Sequence, residues 1–218
     1  VAFLPWDAGK FILWSERDGY NHLYLYNTDG KLLRQLTQGK YVDQEIIGFC
    51  PKTKSVIIRS NELHPLQSNI FALSMNGKRT LLDNGKGVHR GILSDDGTQL
   101  VDVYSTPDIP RSYDIINTVK KTRKEYFTAP DPWEGYAVPT YKSGSIKAAD
   151  GVTDLYYRLV LPPDFDETKK YPTVVYVYGG PHAHNVDASW HWASRSWETY
   201  MAQKGYVLFI LDNRGSEN

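Results

Sequence analysis

The sequence has little cysteine and no long apolar run. Cys50 is the single cysteine among 218 residues, so an internal disulfide is excluded. Because it lies in the apolar run 46–50, we expect Cys50 to be a small buried hydrophobe rather than a reactive thiol. The longest apolar runs, 173–178 and 206–211, are strand-sized and fall well short of the roughly 18 residues of a membrane-spanning helix. The composition therefore indicates a globular chain and leaves its compartment open.

Neither sign of charge is in excess. The 25 basic and 25 acidic residues are mixed along the chain and give a formal net charge of zero. This balance gives no support to a nucleic acid or an anionic membrane as a partner. A short basic run at 120–124 is typical of an exposed edge strand that is protected by charge. We therefore predict no nucleic-acid partner.

Short apolar runs separated by turn residues repeat about every 45 residues between positions 10 and 127. The first strand of each repeat is predicted at 11–15, 56–60 and 100–104, and the second at 22–27, 69–75 and 113–117. Asp29-Gly30 and Asn76-Gly77 are predicted to supply the positive φ angles of type I′ hairpins. The pattern favours β-propeller blades over the alternative, an irregular β-sandwich. About 2.5–3 blades are present, whereas a closed ring needs roughly four to eight, so we expect a partial propeller.

Prolines at 130, 132 and 139 interrupt the repeat and mark a domain boundary. We assign residues 1–135 to the C-terminal blades of the propeller and residues 136–218 to a second domain. That domain opens with a hairpin predicted around Asp150-Gly151. The fold class predicted for the whole chain is therefore mainly β, followed by an α/β part.

A strand, a helix and another strand follow in the second domain. Residues 173–178 are almost continuously apolar, as expected of a strand buried on both faces of a parallel sheet. The helix is predicted to be amphipathic and to end at Gly205, with a stripe formed by Trp197, Tyr200, Met201 and Lys204. Residues 207–211 form the next strand, and a right-handed crossover makes the two strands parallel. This arrangement predicts the N-terminal part of an α/β-hydrolase sheet, truncated before the sheet is complete.

Tyr178 is the candidate catalytic residue. It stands at the carboxyl end of the strand 173–178, immediately before Gly179-Gly180-Pro181, and sites collect at such strand ends in parallel sheets. In α/β-hydrolases the corresponding loop helps to form the oxyanion hole, and a phenol there can donate a hydrogen bond to a developing oxyanion. The alternative for the tyrosine taken alone is a packed residue at a strand end.

The sequence contains no Gly-x-Ser-x-Gly nucleophile motif. Ser216 follows a strand but lacks the required glycine spacing, so we interpret it as a turn former. His182, His184 and His191 lie close together with Asp187, but a fourth well-spaced ligand is missing, and we predict no metal and no cofactor. A catalytic base among these histidines is disfavoured because hydrolase triads place serine, acid and histidine in that order, later in the chain.

Six segments occur in order along the chain, at 14–24, 161–166, 170–172, 177–181, 200–206 and 212–216. Together they resemble the dipeptidyl peptidase IV family of serine peptidases in the prolyl oligopeptidase clan. The segment 14–24 resembles a propeller signature of that family, and the other five segments resemble the start of its catalytic domain. The resemblance covers essentially the whole chain. The loop that contains His182 and the segment 200–205 suggest a bacterial member.

The resemblance implies a fragment of a serine exopeptidase that releases Xaa-Pro or Xaa-Ala dipeptides from the N-termini of peptides. It implies that Tyr178 belongs to the oxyanion hole, that His182 lines the mouth of the substrate pocket, and that Asp212 and Arg214 are scaffold. The expected partners are a peptide substrate, the remainder of the parent polypeptide and, in the parent enzyme, a second copy in a homodimer. A bacterial parent is expected to be exported or periplasmic.

The same resemblance places the family's nucleophile, acid and histidine beyond Asn218. It places the paired glutamates and the arginine that bind the substrate before Val1. We therefore expect the chain alone to be inactive. Two alternatives stay open: another specificity within the clan (tripeptidyl, acylaminoacyl or endopeptidase), and a non-catalytic propeller module used for binding.

Overall fold

The computed structural model describes residues 1–216, and just under half of them lie in β-strands. Within this range sixteen strands form four sheets of four strands each, and the three antiparallel sheets are consistent with a partial propeller. The described residues divide into two compact units, one containing 1–104 and 111–128, the other 105–110 and 129–216. Within this described range, no helix is both long and apolar enough to cross a membrane.

Three sheets belong mainly to the first unit, and their strands are adjacent in the order of the chain. The first sheet contains β1 (Ala2–Leu4), β2 (Asp7–Ser15), β3 (His22–Asn27) and β4 (Leu32–Gln35). The second contains β5 (Asp43–Cys50), β6 (Ser55–Ser60), β7 (Asn69–Ser74) and β8 (Arg79–Leu81). The third contains β9 (Val88–Leu93), β10 (Gln99–Thr106), β11 (Ile109–Asn117) and β12 (Thr122–Thr128). All six strands predicted from the repeat are confirmed.

The two predicted hairpin turns agree with the prediction at their glycines only. Asp29 and Asn76 do not have a positive φ, so these turns are not of type I′, which needs a positive φ at both central residues. Gly30 (φ 82°) and Gly77 (φ 87°) adopt the left-handed conformation that makes glycine favourable there. Strand β12 is exposed along its whole length and forms an edge of the third sheet, as the basic run 120–124 indicated. Cys50 is a free, fully buried thiol, which confirms the prediction of a buried hydrophobe.

Apolar side chains fill the spaces between successive sheets, and alternation along each strand decides which space a residue enters. In β6, Val56 and Ile58 belong to a cluster with residues of the first sheet, whereas Ile57 belongs to a cluster with Leu100 and Ile116 of the third. The middle sheet therefore carries an apolar residue on both faces. Sheets stacked in series through both faces are what propeller blades require.

Polar contacts also repeat between the sheets. Thr37, after β4, binds the buried carboxylate of Asp43 and accepts a hydrogen bond from the Leu23 N–H at 2.9 Å. Asp83, after β8, accepts a hydrogen bond from the Ile70 N–H at 2.5 Å and lies 3.9 Å from the ring of His89. The sequence repeat therefore extends to the buried polar groups, although their chemical identities differ.

The second unit contains the fourth sheet, whose strands lie in the order β13–β14–β16–β15. They are β13 (Thr140–Lys147), β14 (Asp154–Leu161), β15 (Thr173–Val177) and β16 (Val207–Leu211). Strands β15 and β16 are parallel, with Val177 opposite Leu211, and the other neighbours are antiparallel. A left-handed turn (Trp190–Ala193) and α1 (Ser196–Gln203) lie between the parallel strands. The predicted hairpin and the predicted parallel pair are both confirmed.

Burial in the second unit differs from the prediction at two places. Strand β15 has one exposed face, with Val175 61% and Val177 43% exposed, because β15 is the edge strand and the described residues cover one face only. In α1 the aromatic stripe is exposed rather than buried, with Trp197 at 40% and Tyr200 at 57%. The helix turns Glu198 inward instead, since that carboxylate pairs with a buried arginine on β14. Gly205 has a φ of 88° and follows the helix as predicted.

Candidate functional site

Tyr178 stands directly after β15, beside the carboxyl end of the parallel strand β16. Parallel sheets present their sites at this edge, because the loops that leave neighbouring strands meet there. The tyrosine side chain is 57% exposed. Its phenol can therefore meet a molecule from solvent and donate one hydrogen bond to it.

Each of the two glycines that follow Tyr178 is favoured at its position for a different conformational reason. Gly179 has a φ of 74°, a left-handed conformation that L side chains adopt at a cost. Gly180 lies under the tyrosine ring, where an added Cβ would be 2.7 Å from Cε1 of Tyr178. Any side chain at Gly180 would therefore displace the ring, so both glycines shape the surroundings of the phenol.

The turn after β15 is hydrogen-bonded to the turn after β16. The carboxamide of Asn213 accepts a hydrogen bond from the Gly179 N–H at 3.1 Å and donates one to the Gly180 carbonyl at 3.3 Å. The His182 N–H donates to the Gly215 carbonyl at 3.1 Å. These three hydrogen bonds join the backbone around Tyr178 to the end of the neighbouring strand.

Asp212 holds a later part of the same connection. Its carboxylate is 1% exposed and accepts hydrogen bonds from the Asn185 N–H at 2.9 and 3.0 Å, from Asn185 Nδ2 at 2.9 Å and from the Val186 N–H at 2.9 Å. Several N–H donors around one carboxylate compensate for its loss of water. Asp212 therefore fixes the backbone at 185–186, in agreement with the scaffold role expected for it.

Arg158 on β14 is fully buried and organises the rest of the connection. Its Nε donates to Glu198 Oε2 at 3.1 Å, and its Nη2 donates to Glu198 Oε1 at 2.9 Å. Its Nη1 donates to the carbonyls of Asn185 at 2.7 Å and Trp192 at 2.6 Å. Burial lowers the pKa of Arg158, and the charge of Glu198 and its hydrogen bonds oppose that shift. The guanidinium thus ties α1 to two points of the chain that precedes it.

The segment held by Arg158 is conformationally strained. His191, Trp192 and Ala193 have φ values of 51°, 58° and 63°, three consecutive non-glycine residues in the left-handed region. Each such residue costs on the order of 1–3 kcal/mol. The ring of His191 stacks on Tyr141 at 4.0 Å between centroids and on Trp190 at the same distance, and burial lowers the pKa of His191. These stacks and the Arg158 hydrogen bond to Trp192 offset the strain.

The predicted site residues lie on the connection that follows β15 and on the turn that follows β16. Tyr178 and His182 lie on the same turn, and His182 is exposed with a φ of 60°. Asp187 caps a local turn by accepting a hydrogen bond from the Ser189 N–H at 2.9 Å. Ser216 donates its N–H to the Asn213 carbonyl at 3.2 Å, as a turn former does. Across residues 1–216, no group of three His, Cys, Asp or Glu side chains is arranged to hold a metal ion.

Sequence reasoning missed Asn213, Arg158 and Glu198. A charged residue at 158 within the apolar stretch 155–161 was a usable signal for a buried ion pair. Its partner is 40 residues further along the chain, and no periodicity links the two. Asn213 gave no comparable signal, because asparagine after a strand is common in ordinary turns.

Comparisons with known proteins match this chain to dipeptidyl peptidase IV proteins and their relatives over most of its length. The sequence model of the "Dipeptidyl peptidase IV (DPP IV) N-terminal region" matches residues 1–111. Dipeptidyl peptidase 4 of Trichophyton rubrum is 29% identical over 212 residues, which cover 93% of this chain and 27% of that protein. Prolyl endopeptidase FAP of Bos taurus is 28% identical over 221 residues, covering 94% of this chain and 28% of that protein.

Solved structures extend the likeness over both units. A Bacteroides ovatus protein assigned as a dipeptidyl aminopeptidase IV is 44% identical, with a TM-score of 0.91, over 100% of this chain and 34% of its own length. Porphyromonas gingivalis dipeptidyl peptidase 4 is 27% identical, with a TM-score of 0.84, over 99% of this chain and 30% of its own. The chain thus spans about a quarter to a third of the proteins it matches.

Three serially packed four-stranded sheets are consistent with a partial propeller, and the named relatives are peptidases. The match over residues 1–111 covers half of the chain and makes the assignment specific. The chain belongs to the dipeptidyl peptidase IV family.

Proposed function

We propose that this chain is part of a serine exopeptidase that releases Xaa-Pro or Xaa-Ala dipeptides from the N-termini of peptides. Residues 1–135 would be the C-terminal blades of its propeller, and residues 136–218 the start of an α/β-hydrolase domain. Tyr178, an exposed phenol at the carboxyl end of a parallel strand on a turn of two glycines, is the observation that carries this proposal. The named peptidase relatives support the same reading.

The reaction assigned to Tyr178 is stabilisation of charge. When a serine attacks the peptide carbonyl, the carbonyl oxygen becomes an oxyanion, and the Tyr178 hydroxyl donates a hydrogen bond to it. One such donor is typically worth about 3 kcal/mol in the transition state. The serine, its histidine and its acid would come from the complete polypeptide, and His182 would line the mouth of the pocket. Neither a metal nor a cofactor takes part in this mechanism.

The test compares the complete polypeptide, its Tyr178→Phe variant and the 218-residue chain on a Gly-Pro-chromophore substrate. Tyr178→Phe is expected to lower kcat about 100- to 1,000-fold and to leave KM nearly unchanged, because the hydrogen bond forms only in the transition state. Tyr126→Phe is the matched control, since Tyr126 is 75% exposed on the edge strand β12. An unchanged kcat in Tyr178→Phe would rule out the oxyanion role, and measurable cleavage by the purified 218-residue chain would contradict its predicted inactivity.

Endopeptidase activity is the second candidate, because one relative is named a prolyl endopeptidase. An N-acylated Gly-Pro-chromophore substrate separates the two activities, since an exopeptidase requires the free amino terminus. Cleavage of the free substrate alone supports dipeptide release. Comparable cleavage of both substrates would favour the endopeptidase.

A further inference from the structure

The side chain of Asn213 lies between the turns that follow β15 and β16. It binds two consecutive backbone groups of the Tyr178 turn, the Gly179 N–H at 3.1 Å and the Gly180 carbonyl at 3.3 Å. Its Nδ2 also donates to the carbonyl of Arg214 at 2.7 Å, which orients the carboxamide. One amide thus satisfies a donor and an acceptor of the first turn while it is fixed by the second.

The position of the Tyr178 ring depends on that first turn. The ring is more than half exposed, so packing restrains it little on its outer side. On its inner side it lies against Gly180, so closely that a Cβ there would be 2.7 Å from the ring. A shift of the Gly179-Gly180 backbone would therefore move or release the ring.

Other hydrogen bonds act on different parts of the connection. Asp212 binds the backbone of Asn185 and Val186, and Arg158 binds the carbonyls of Asn185 and Trp192. Loss of the Asn213 side chain would leave all of these contacts in place. The hydrogen bond between Asn213 and Gly179 is exposed to solvent. Removing the Asn213 side chain should therefore change the stability of the protein little.

We propose that Asn213 is a positioning residue that sets the location of the Tyr178 hydroxyl by holding the Gly179-Gly180 backbone. This inference rests on the proposed oxyanion role of Tyr178. Asn213 itself need not touch the substrate. It acts through the turn, and a misplacement of about 1 Å in a catalytic group can lower a rate by two orders of magnitude.

The first test measures the turn directly in the complete polypeptide, without reference to activity. Amide hydrogen exchange is followed in peptides that cover residues 176–184, for the wild type and for Asn213→Ala. Faster exchange in these peptides, with unchanged exchange around 185–186, is expected if Asn213 holds the turn. Equal exchange in both proteins would overturn the proposal.

The second test measures the consequence for the reaction. Asn213→Ala is expected to lower kcat about 10- to 100-fold and to change KM less than about 2-fold. Asn213→Asp is the second variant, because it keeps the acceptor for Gly179 but loses the donor to Gly180, and it should show a similar loss. Asn117→Ala is the matched control, since it removes side-chain hydrogen bonds to Val119 and Lys120 in the turn between β11 and β12.

A double variant separates positioning from a general structural role. On the Tyr178→Phe background, Asn213→Ala should lower kcat by less than about 2-fold, because the hydroxyl that it positions is already absent. The same factor on both backgrounds would overturn the proposal. If Tyr178→Phe itself leaves kcat unchanged, the oxyanion role is what fails, and the hydrogen-exchange comparison still decides whether Asn213 holds the turn.

Discussion

The two units of this chain use different interactions to solve the same problem of burying a four-stranded sheet. In the first unit, sheets of similar sequence face one another, and β6 contributes Val56, Ile57 and Ile58 to clusters on both of its faces. In the second unit, the largest fully buried side chain is Arg158, neutralised by Glu198. Each sheet of the repeat is therefore buried by the apolar face of the next sheet. The single mixed sheet of the second unit is instead held by directional contacts between charged groups.

The largest expected effect comes from breaking the buried pair of the second unit. Glu198→Ala leaves the Arg158 guanidinium buried without its counter-charge, and we expect the free energy of unfolding to fall by about 3–5 kcal/mol. Urea unfolding followed by tryptophan fluorescence measures this loss. Glu45→Ala is the matched control because it breaks the more exposed pair with Arg59, where about 0.2–1 kcal/mol is expected. Equal losses in the two variants would show that burial adds nothing to the pair.

A somewhat smaller effect is expected in the apolar layer of the first unit. Ile58 is fully buried between the first and second sheets, and Ile58→Ala should cost about 3 kcal/mol through lost burial and the cavity that remains. Ile92, 65% exposed on β9, is the control position, and Ile92→Ala should cost less than about 0.5 kcal/mol. Thermal or urea unfolding of the two variants measures the difference. A cost below about 1 kcal/mol for Ile58→Ala would contradict the assigned role of this layer.

The smallest expected effect is a change of folding stability with pH. It comes from His89, a buried histidine of the first unit. Burial lowers the pKa of His89, but the hydrogen bond to Asp102 at 2.8 Å and the charges of Asp83 and Asp102 outweigh burial and raise it. A raised folded-state pKa gives stability that is complete below the unfolded pKa of about 6.5 and is lost as pH rises through the folded value. The stability difference between wild type and His89→Gln should therefore shrink between pH 6 and pH 9. A difference that stays constant over this range would refute the raised pKa.

Local rules predicted the first unit well and the second unit only in outline. Turn chemistry at Gly30 and Gly77, together with alternating apolar residues, places the strands correctly, because each repeat pairs within itself. In α1 the apolar period suggested that Trp197 and Tyr200 face inward, yet both are exposed. The helix is oriented by the ion pair between Glu198 and the buried Arg158. These two residues are 40 positions apart, so no periodic pattern in the sequence predicts their contact.

The candidate site shows the same division between local and distant information. Tyr178 could be selected from sequence, since a strand, a tyrosine and two glycines are contiguous. The support for its turn comes from Asn213 on the neighbouring strand end, 34 residues after Gly179. Only the pairing of β15 with β16 brings the two together.

The strand order also governs when this edge of the sheet can assemble during synthesis. Each residue of β15 pairs with the residue 34 positions later in β16, so it meets its hydrogen-bonded neighbour in the described sheet only after 34 more residues have been made. At translation rates of roughly 5–20 residues per second, that wait lasts on the order of 2–7 seconds. During it the nascent chain carries an apolar strand with both edges unpaired, a state that chaperones recognise and that favours aggregation. The turn around Tyr178 would thus acquire its final surroundings only after β16 and Asn213 have left the ribosome.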